Sequence, residues 1–105
     1  MDYTENIRRC KEYIDSHLNE DLTAEKIAAH EGYSVFHFCR IFKEYTGKSL
    51  MKYVRDKRLE KAEKNIAKGE STAEVANKCG FETSSGLARA YEKKFGERPT
   101  RKLHA

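Results

Sequence analysis

The stretch Ile27-Ala28-Ala29-His30-Glu31-Gly32-Tyr33 returns later in the chain as Val75-Ala76-Asn77-Lys78-Cys79-Gly80-Phe81, at an offset of 48. One residue is inserted after Phe81 and the match resumes at an offset of 49, where Phe38, Arg40, Phe42, Gly47 and Leu50 meet Leu87, Arg89, Tyr91, Gly96 and Pro99. Each copy reads as a short helix, a glycine turn and a second helix that carries an outward arginine. That is the plan of a helix-turn-helix, written twice.

Outward from the repeat, Ile7, Cys10, Ile14 and Leu18 fall at i, i+3, i+7 and i+11, an apolar stripe that predicts a first helix from about Thr4 to Leu18. Asp2 with Glu5 three residues on predicts a capping box at its start, and Asn19-Glu20-Asp21 closes it. Thr23 is the expected cap of the next helix, which runs to about His30 with Ile27 and Ala28 buried. Gly32 supplies the left-handed residue after its end. Ser34 caps the following helix, to about Thr46, whose apolar face is Phe38, Ile41, Phe42 and Tyr45; Val35, Phe36, Cys39, Arg40 and Lys43 fall on other faces. After Gly47, Ser49 caps a helix to about Lys68, a rod of roughly 30 Å with Leu50, Tyr53, Val54, Leu59, Ala62 and Ile66 on its buried side. Gly69 ends it, and Ser71 with Glu74 makes a second capping box. The plan then repeats, with a helix to about Lys78, a turn at Gly80, a helix from about Thr83 to Phe95, and Gly96. Pro99 suits the first position of a last helical turn. The organisation predicted is a first lobe over residues 1–48, a linker helix over 49–68 and a second lobe over 69–105.

At 105 residues the chain is one small body, or two half-size lobes sharing a connector. Its 38% apolar content supports a modest core, and a single proline among abundant Ala, Lys, Glu and Leu favours helices throughout. Lys and Arg outnumber Asp and Glu by 21 to 17, a balance that fits a polyanionic partner without establishing one. Cys10, Cys39 and Cys79 are odd in number and widely spaced, which reads as reduced thiols in a cytoplasmic protein. No apolar run approaches the roughly 20 residues that cross a bilayer, so no membrane is expected as a partner.

Catalytic and metal chemistry find little to work with. His17, His30, His37, His104 and the cysteines form no CxxC or HxxxH pair, and His37 and Cys39 point to different sides of a helix. There is no P-loop and no Gly-x-Gly-x-x-Gly. Neither an enzyme nor a cofactor is expected.

What remains is nucleic-acid chemistry. The second helix of a helix-turn-helix fits the roughly 12 Å wide major groove, with its early residues at the base edges. Those are Val35, Phe36, Cys39 and Arg40 in the first copy, and Ser84, Ser85, Gly86 and Arg89 in the second. Arg40 and Arg89 have the fork that donates to guanine O6 and N7, Phe36 matches a thymine methyl, and the serines discriminate little. Gly86 costs a helix about 1 kcal/mol against Ala and leaves room for the backbone to approach DNA. The competing reading of the arginines is a surface ion pair, to Glu44 or Glu92, and Phe36 is either partly buried or an exposed DNA-contacting aromatic. Phosphate contacts are expected among Lys43, Lys48, Lys52, Arg55, Lys93, Lys94 and Arg98, and at the helix starts marked by Thr23, Ser34 and Ser71-Thr72. A rod of roughly 30 Å also has the scale of the ~34 Å between successive major grooves on one side of B-DNA, so one chain can read two groove segments without a palindrome.

These residues resemble the DNA-binding domain of AraC/XylS-type bacterial transcriptional regulators. The resemblance covers about Ile7 to Pro99 and is strongest from Ile27-Ala28 through Arg58-Leu59 and in Val75-Ala76-x-x-x-Gly80-Phe81 … Leu87-x-Arg89-x-Tyr91 … Phe95-Gly96-x-x-Pro99. It implies an all-α fold of about seven helices, two homeodomain-like helix-turn-helix lobes joined by a long linker helix. It also implies a monomer on roughly 20 base pairs (two helical turns) of asymmetric double-stranded promoter DNA. Such a regulator is usually an activator that contacts RNA polymerase. On the family's pattern Phe36, Cys39 and Arg40, then Ser84, Ser85, Gly86 and Arg89, fall on base-contacting positions.

The chain also departs from that pattern. Cys39 and Ser84-Ser85 stand where the family often has long polar residues, so readout leans more on DNA shape. Gly86 replaces a larger residue, Tyr91-Glu92 a more usual Phe-Lys, and Lys102-Leu103 a Tyr-Arg. Most relatives carry a further domain that senses a small molecule. The chain resembles either a short stand-alone activator or the N-terminal portion of a longer regulator. Met1 directly before the first helix and the Gly86-containing helix favour the longer regulator. The rival from another class is a helical protein–protein adaptor acting on the transcription machinery.

Overall fold

The computed structural model describes residues 2–99. They form α1 (Thr4–Ser16), α2 (Ala24–Glu31), α3 (Val35–Thr46), α4 (Leu50–Ala67), α5 (Thr72–Lys78) and α6 (Ser84–Phe95), an all-α fold with no strand among the described residues. The chain divides within α4, between Arg55 and Asp56, into two compact units.

In the first unit, Ile7, Cys10 and Ile14 of α1 pack with Ile27 and Ala28 of α2 and Phe38, Ile41 and Phe42 of α3. The start of α1 differs from expectation. Tyr3 is its N-cap and no side chain caps it; Asp2, one residue earlier, accepts from the Thr4 N–H at 2.9 Å and the Thr4 hydroxyl at 2.6 Å. Those bonds hold the Asp2 carboxyl below its usual value. Glu5 does not reach back, because Arg8 one turn on offers it a cation. α1 also stops two residues short of Leu18, which is nevertheless buried. The helix-turn-helix itself follows expectation. Thr23 accepts from the Lys26 N–H at 3.1 Å, Gly32 takes φ +81°, and Ser34 accepts from the His37 N–H at 3.2 Å. Each such cap stabilises its helix by about 1 kcal/mol. Tyr45 is the exception on the apolar face of α3. It is 43% exposed, and its hydroxyl accepts from the Tyr3 N–H at 2.9 Å. In the last turn of α3 its ring lies past the edge of the core, edge-on to Tyr3.

α4 serves two cores. Leu50 and Val54, with half-buried Tyr53, belong to the first; Leu59, Ala62 and Ile66 belong to the second.

The second unit repeats the plan. Ser71 accepts from the Glu74 N–H at 3.2 Å, and Thr83 caps α6 by accepting from the Gly86 N–H at 2.9 Å. Val75, Ala76, Cys79, Leu87, Ala90 and Tyr91 fill the core. Asp56 is buried at its margin and pairs with Lys94 at 3.5 Å. Pro99 is buried, and the last helical turn expected after it lies outside the described residues. All three cysteines are free thiols. Burial, with help from the Glu31 carboxylate, pushes Cys10 up to about 12, and burial raises Cys79 as well, so both are neutral core residues.

Candidate nucleic-acid interface

α3 and α6 are both twelve residues long, capped by a hydroxyl at the start and by a left-handed glycine (Gly47, Gly96) at the end. With Phe38, Ile41 and Phe42 turned inward, the opposite face of α3 presents Phe36, Arg40 and Lys43, all exposed. Phe36 is 80% exposed, which resolves the two alternatives in favour of the outward aromatic. Val35, Phe36, Cys39 and Arg40 line a shallow open depression, because residues four apart stack on one helix face. Cys39 is half-buried at its floor. Burial and the Glu25 carboxylate hold its thiol above the ordinary value, so it offers a neutral S–H.

The competing reading of the arginines is realised for one of them. The Arg40 Nε lies 3.5 Å from Glu44 Oε1, both side chains being exposed. Such a surface pair contributes only a few tenths of a kcal/mol. Engaging Nε leaves the Nη1 and Nη2 end of the guanidinium for another acceptor. Arg89 is exposed and has no ion pair among the described residues, since Glu92 goes to Arg98 at 3.0 Å. Beside Arg89 on α6, Ser84 and Ser85 are exposed and Gly86 is half-buried. A Cβ at Gly86 would meet Thr83 Oγ1 at 3.1 Å.

Of the expected phosphate contacts, Lys43, Arg55 and Lys93 are exposed and have no ion pair among the described residues, and Lys48 is exposed too. Thr23 and Ser34 use their oxygens as helix caps, which leaves each hydroxyl proton to donate. Lys94 is held differently from the others, between Asp56 at 3.5 Å and the Phe95 ring at 5.8 Å, so its charge is already matched.

Two further residues share these faces and escaped the sequence reading. His37 is exposed on the first turn of α3, held edge-on by Tyr33 at 5.4 Å and Tyr3 at 6.2 Å, and it occupies the register of Gly86. Ala88 is half-buried in the register of Cys39. The offset of 49 was the signal for both. Among the described residues, no three His, Cys, Asp or Glu side chains gather as a metal site, and no helix is long and apolar enough to cross a membrane.

An arginine-bearing helix behind a glycine turn, present twice on an all-α frame, defines the class of tandem helix-turn-helix modules. The family model described as "Helix-turn-helix domain" matches residues 27–104. The multiple antibiotic resistance protein MarA of Salmonella typhimurium is 34% identical over 89 residues, covering 84% of this chain and 70% of its own length. The right origin-binding protein of Escherichia coli is 30% identical over 100 residues, 94% of this chain; the chain spans only 35% of that relative. The C-terminal domain of AraT, a response regulator from Geobacillus stearothermophilus, has a TM-score of 0.92 at 25% identity, over 99% of this chain and 88% of its own. The chain belongs to the AraC/XylS family of DNA-binding domains, a family of transcriptional regulators rather than of enzymes.

Proposed function

We propose that this chain reads an asymmetric site in double-stranded promoter DNA and activates transcription from it, binding as a monomer with α3 and α6 in successive major-groove segments. The observation that carries the reading is the repeated outward arginine. Arg40 and Arg89 hold the same position on two equal helices, both exposed and neither part of a core. Each donates through its fork to guanine O6 and N7, contributing about 1–3 kcal/mol of discrimination. Phe36 and Cys39 add apolar contact beside Arg40. Ser84, Ser85 and Gly86 let α6 lie close to the groove floor. Lys43, Lys48, Arg55 and Lys93, with the hydroxyls of Thr23 and Ser34, hold phosphates; Lys94 contributes only by leaving Asp56. RNA polymerase is the second partner in this reading, and the bacterial cytoplasm its compartment.

Selection of preferred sites from a random DNA pool at physiological salt tests it. Two enriched boxes one helical turn apart support the reading, and a single box removes base reading from one unit. No enrichment overturns it in favour of the protein–protein adaptor, which the exposed Phe36 would also serve. Salt separates the two independently, because phosphate contacts make log K fall linearly with log salt.

A further inference from the structure

The faces of α3 and α6 share an arginine and little else. Around Arg40 stand an isopropyl group (Val35, 37% exposed), a phenyl ring (Phe36, 80% exposed) and a thiol kept neutral (Cys39), together lining one open depression. Around Arg89, in the same register, stand two hydroxyls (Ser84, Ser85) and one methyl group (Ala88). We infer that the α3 depression seats the 5-methyl group of a pyrimidine close to the guanine taken by Arg40, so that the first unit distinguishes 5-methylated from unmethylated pyrimidines. The inference rests on the DNA reading above and names what that face recognises.

The 5-methyl group of thymine is the apolar feature of a base edge in the major groove, where the remaining groups are donors and acceptors. A seat with a carbon wall, no charge and a cation on its rim matches that group beside a guanine. The spacing agrees. Phe36 and Arg40 are one turn apart, about 6 Å along the helix axis, and base pairs stack about 3.4 Å apart. The pyrimidine therefore lies within one or two steps of the guanine. The pair with Glu44 engages Arg40 through Nε and leaves the two Nη groups for an acceptor at the rim. The α6 face is an internal control, because it keeps the arginine and lacks the carbon wall. Both boxes should need a guanine, and only the box read by α3 should need a methyl.

The test uses the whole chain and duplexes of the site recovered by selection. The loss of guanine preference in Arg40→Ala identifies the α3 box. Each thymine is then replaced in turn by deoxyuridine, and at the sensitive position a C·G pair is compared with a 5-methylcytosine·G pair. At one position of the α3 box, deoxyuridine should weaken binding about fourfold, the equivalent of one buried CH2 group. 5-Methylcytosine should bind tighter than cytosine there by a similar factor. Phe36→Ala, which lies outside the core, should abolish the difference between thymine and deoxyuridine while the guanine requirement persists. Tolerance of deoxyuridine throughout the α3 box, or an undiminished difference in Phe36→Ala, overturns the inference and leaves the DNA reading standing. Failure to bind any duplex overturns both.

Discussion

Replacing Gly86 with alanine separates the stability of the second unit from its approach to DNA. Gly86 is the third residue of α6 and has ordinary helical backbone, with no positive φ. A methyl there recovers about 1 kcal/mol that glycine forfeits in a helix. Against this, the new Cβ stands 3.1 Å from Thr83 Oγ1, the oxygen that accepts from the Gly86 N–H at 2.9 Å. The same slot in α3 shows how the crowding is relieved. His37 carries a β-carbon there, and its N–H donates to Ser34 Oγ at 3.2 Å, a bond 0.3 Å longer than its counterpart in α6. A stretch of that size weakens without breaking a cap of about 1 kcal/mol. The balance is a gain of about 0.5 kcal/mol, or roughly 2–4 °C in the midpoint of a small domain. Binding should move the other way. A methyl forced into a close helix–groove contact costs about 1 kcal/mol or more, as overpacking does elsewhere, so affinity for the selected site should fall at least about fivefold. Calorimetric melting and fluorescence-anisotropy titration measure the two effects. A lowered midpoint refutes the packing argument, and a raised midpoint with unchanged affinity refutes the close approach of α6.

Arg40→Ala and Arg89→Ala should each lose about 1–3 kcal/mol of preference at one guanine. Circular dichroism should stay unchanged, since both side chains are exposed; an intact base preference in site selection refutes the assigned role. Thr23→Ala removes the oxygen that accepts from the Lys26 N–H, and should cost the first unit about 1 kcal/mol in urea denaturation, with Thr23→Ser close to the parent. Cys10 has its folded value raised from 9.0 to about 12, so the unfolded chain loses its proton first. Its contribution to stability is fully present below pH 9 and falls as pH rises toward 12, at up to about 1.4 kcal/mol per pH unit. Cys10→Ala should flatten that limb of the stability profile, and an equal slope in parent and variant would remove Cys10 as its source.

The frame was legible because it rests on signals local in the chain. Ser34, Thr23, Ser71, Gly32 and Gly80 cap and turn as their neighbours dictate, and each helix-turn-helix core follows a 3.6-residue period. The misreadings needed information from elsewhere in the fold. Tyr45 obeys the period of α3, yet the core ends before it and a hydrogen bond from Tyr3 takes its hydroxyl. Glu5 had the spacing for a capping box, but a competing cation stood one turn on. Asp56 was not singled out at all, because the partner it pairs with, Lys94, lies 38 positions away. On the interface, Arg40 and Arg89 were marked by the repeat, whereas the orientation of Phe36 was not. Its neighbours in sequence permit burial, and only the completed packing of Phe38 and Phe42 leaves it outside.

The two units share hydroxyl caps and the twelve-residue length of α3 and α6. Their cores exchange apolar for apolar, Phe38, Ile41 and Phe42 for Leu87, Ala90 and Tyr91, while the outer faces change chemical character. Val35, Phe36 and His37 face Ser84, Ser85 and Gly86 across the repeat, and Lys43-Glu44 becomes Glu92-Lys93. A substitution on an exposed helix face changes stability little, so recognition has been free to drift while the frame stayed fixed. The charges have drifted too. The first unit carries nine Lys and Arg against nine Asp and Glu; the second carries twelve against eight, and so holds the whole net charge of +4. Phosphate neutralisation supplies affinity without sequence information, and base-edge contacts supply discrimination. On the proposed reading the neutral unit, with its carbon-walled seat and exposed arginine, is suited to discrimination. The basic unit, with small side chains that keep nothing between helix and groove, is suited to grip. On that reading a duplicated fold serves two unlike functions from one backbone plan, because each depends on atoms the other can change without loss of the core.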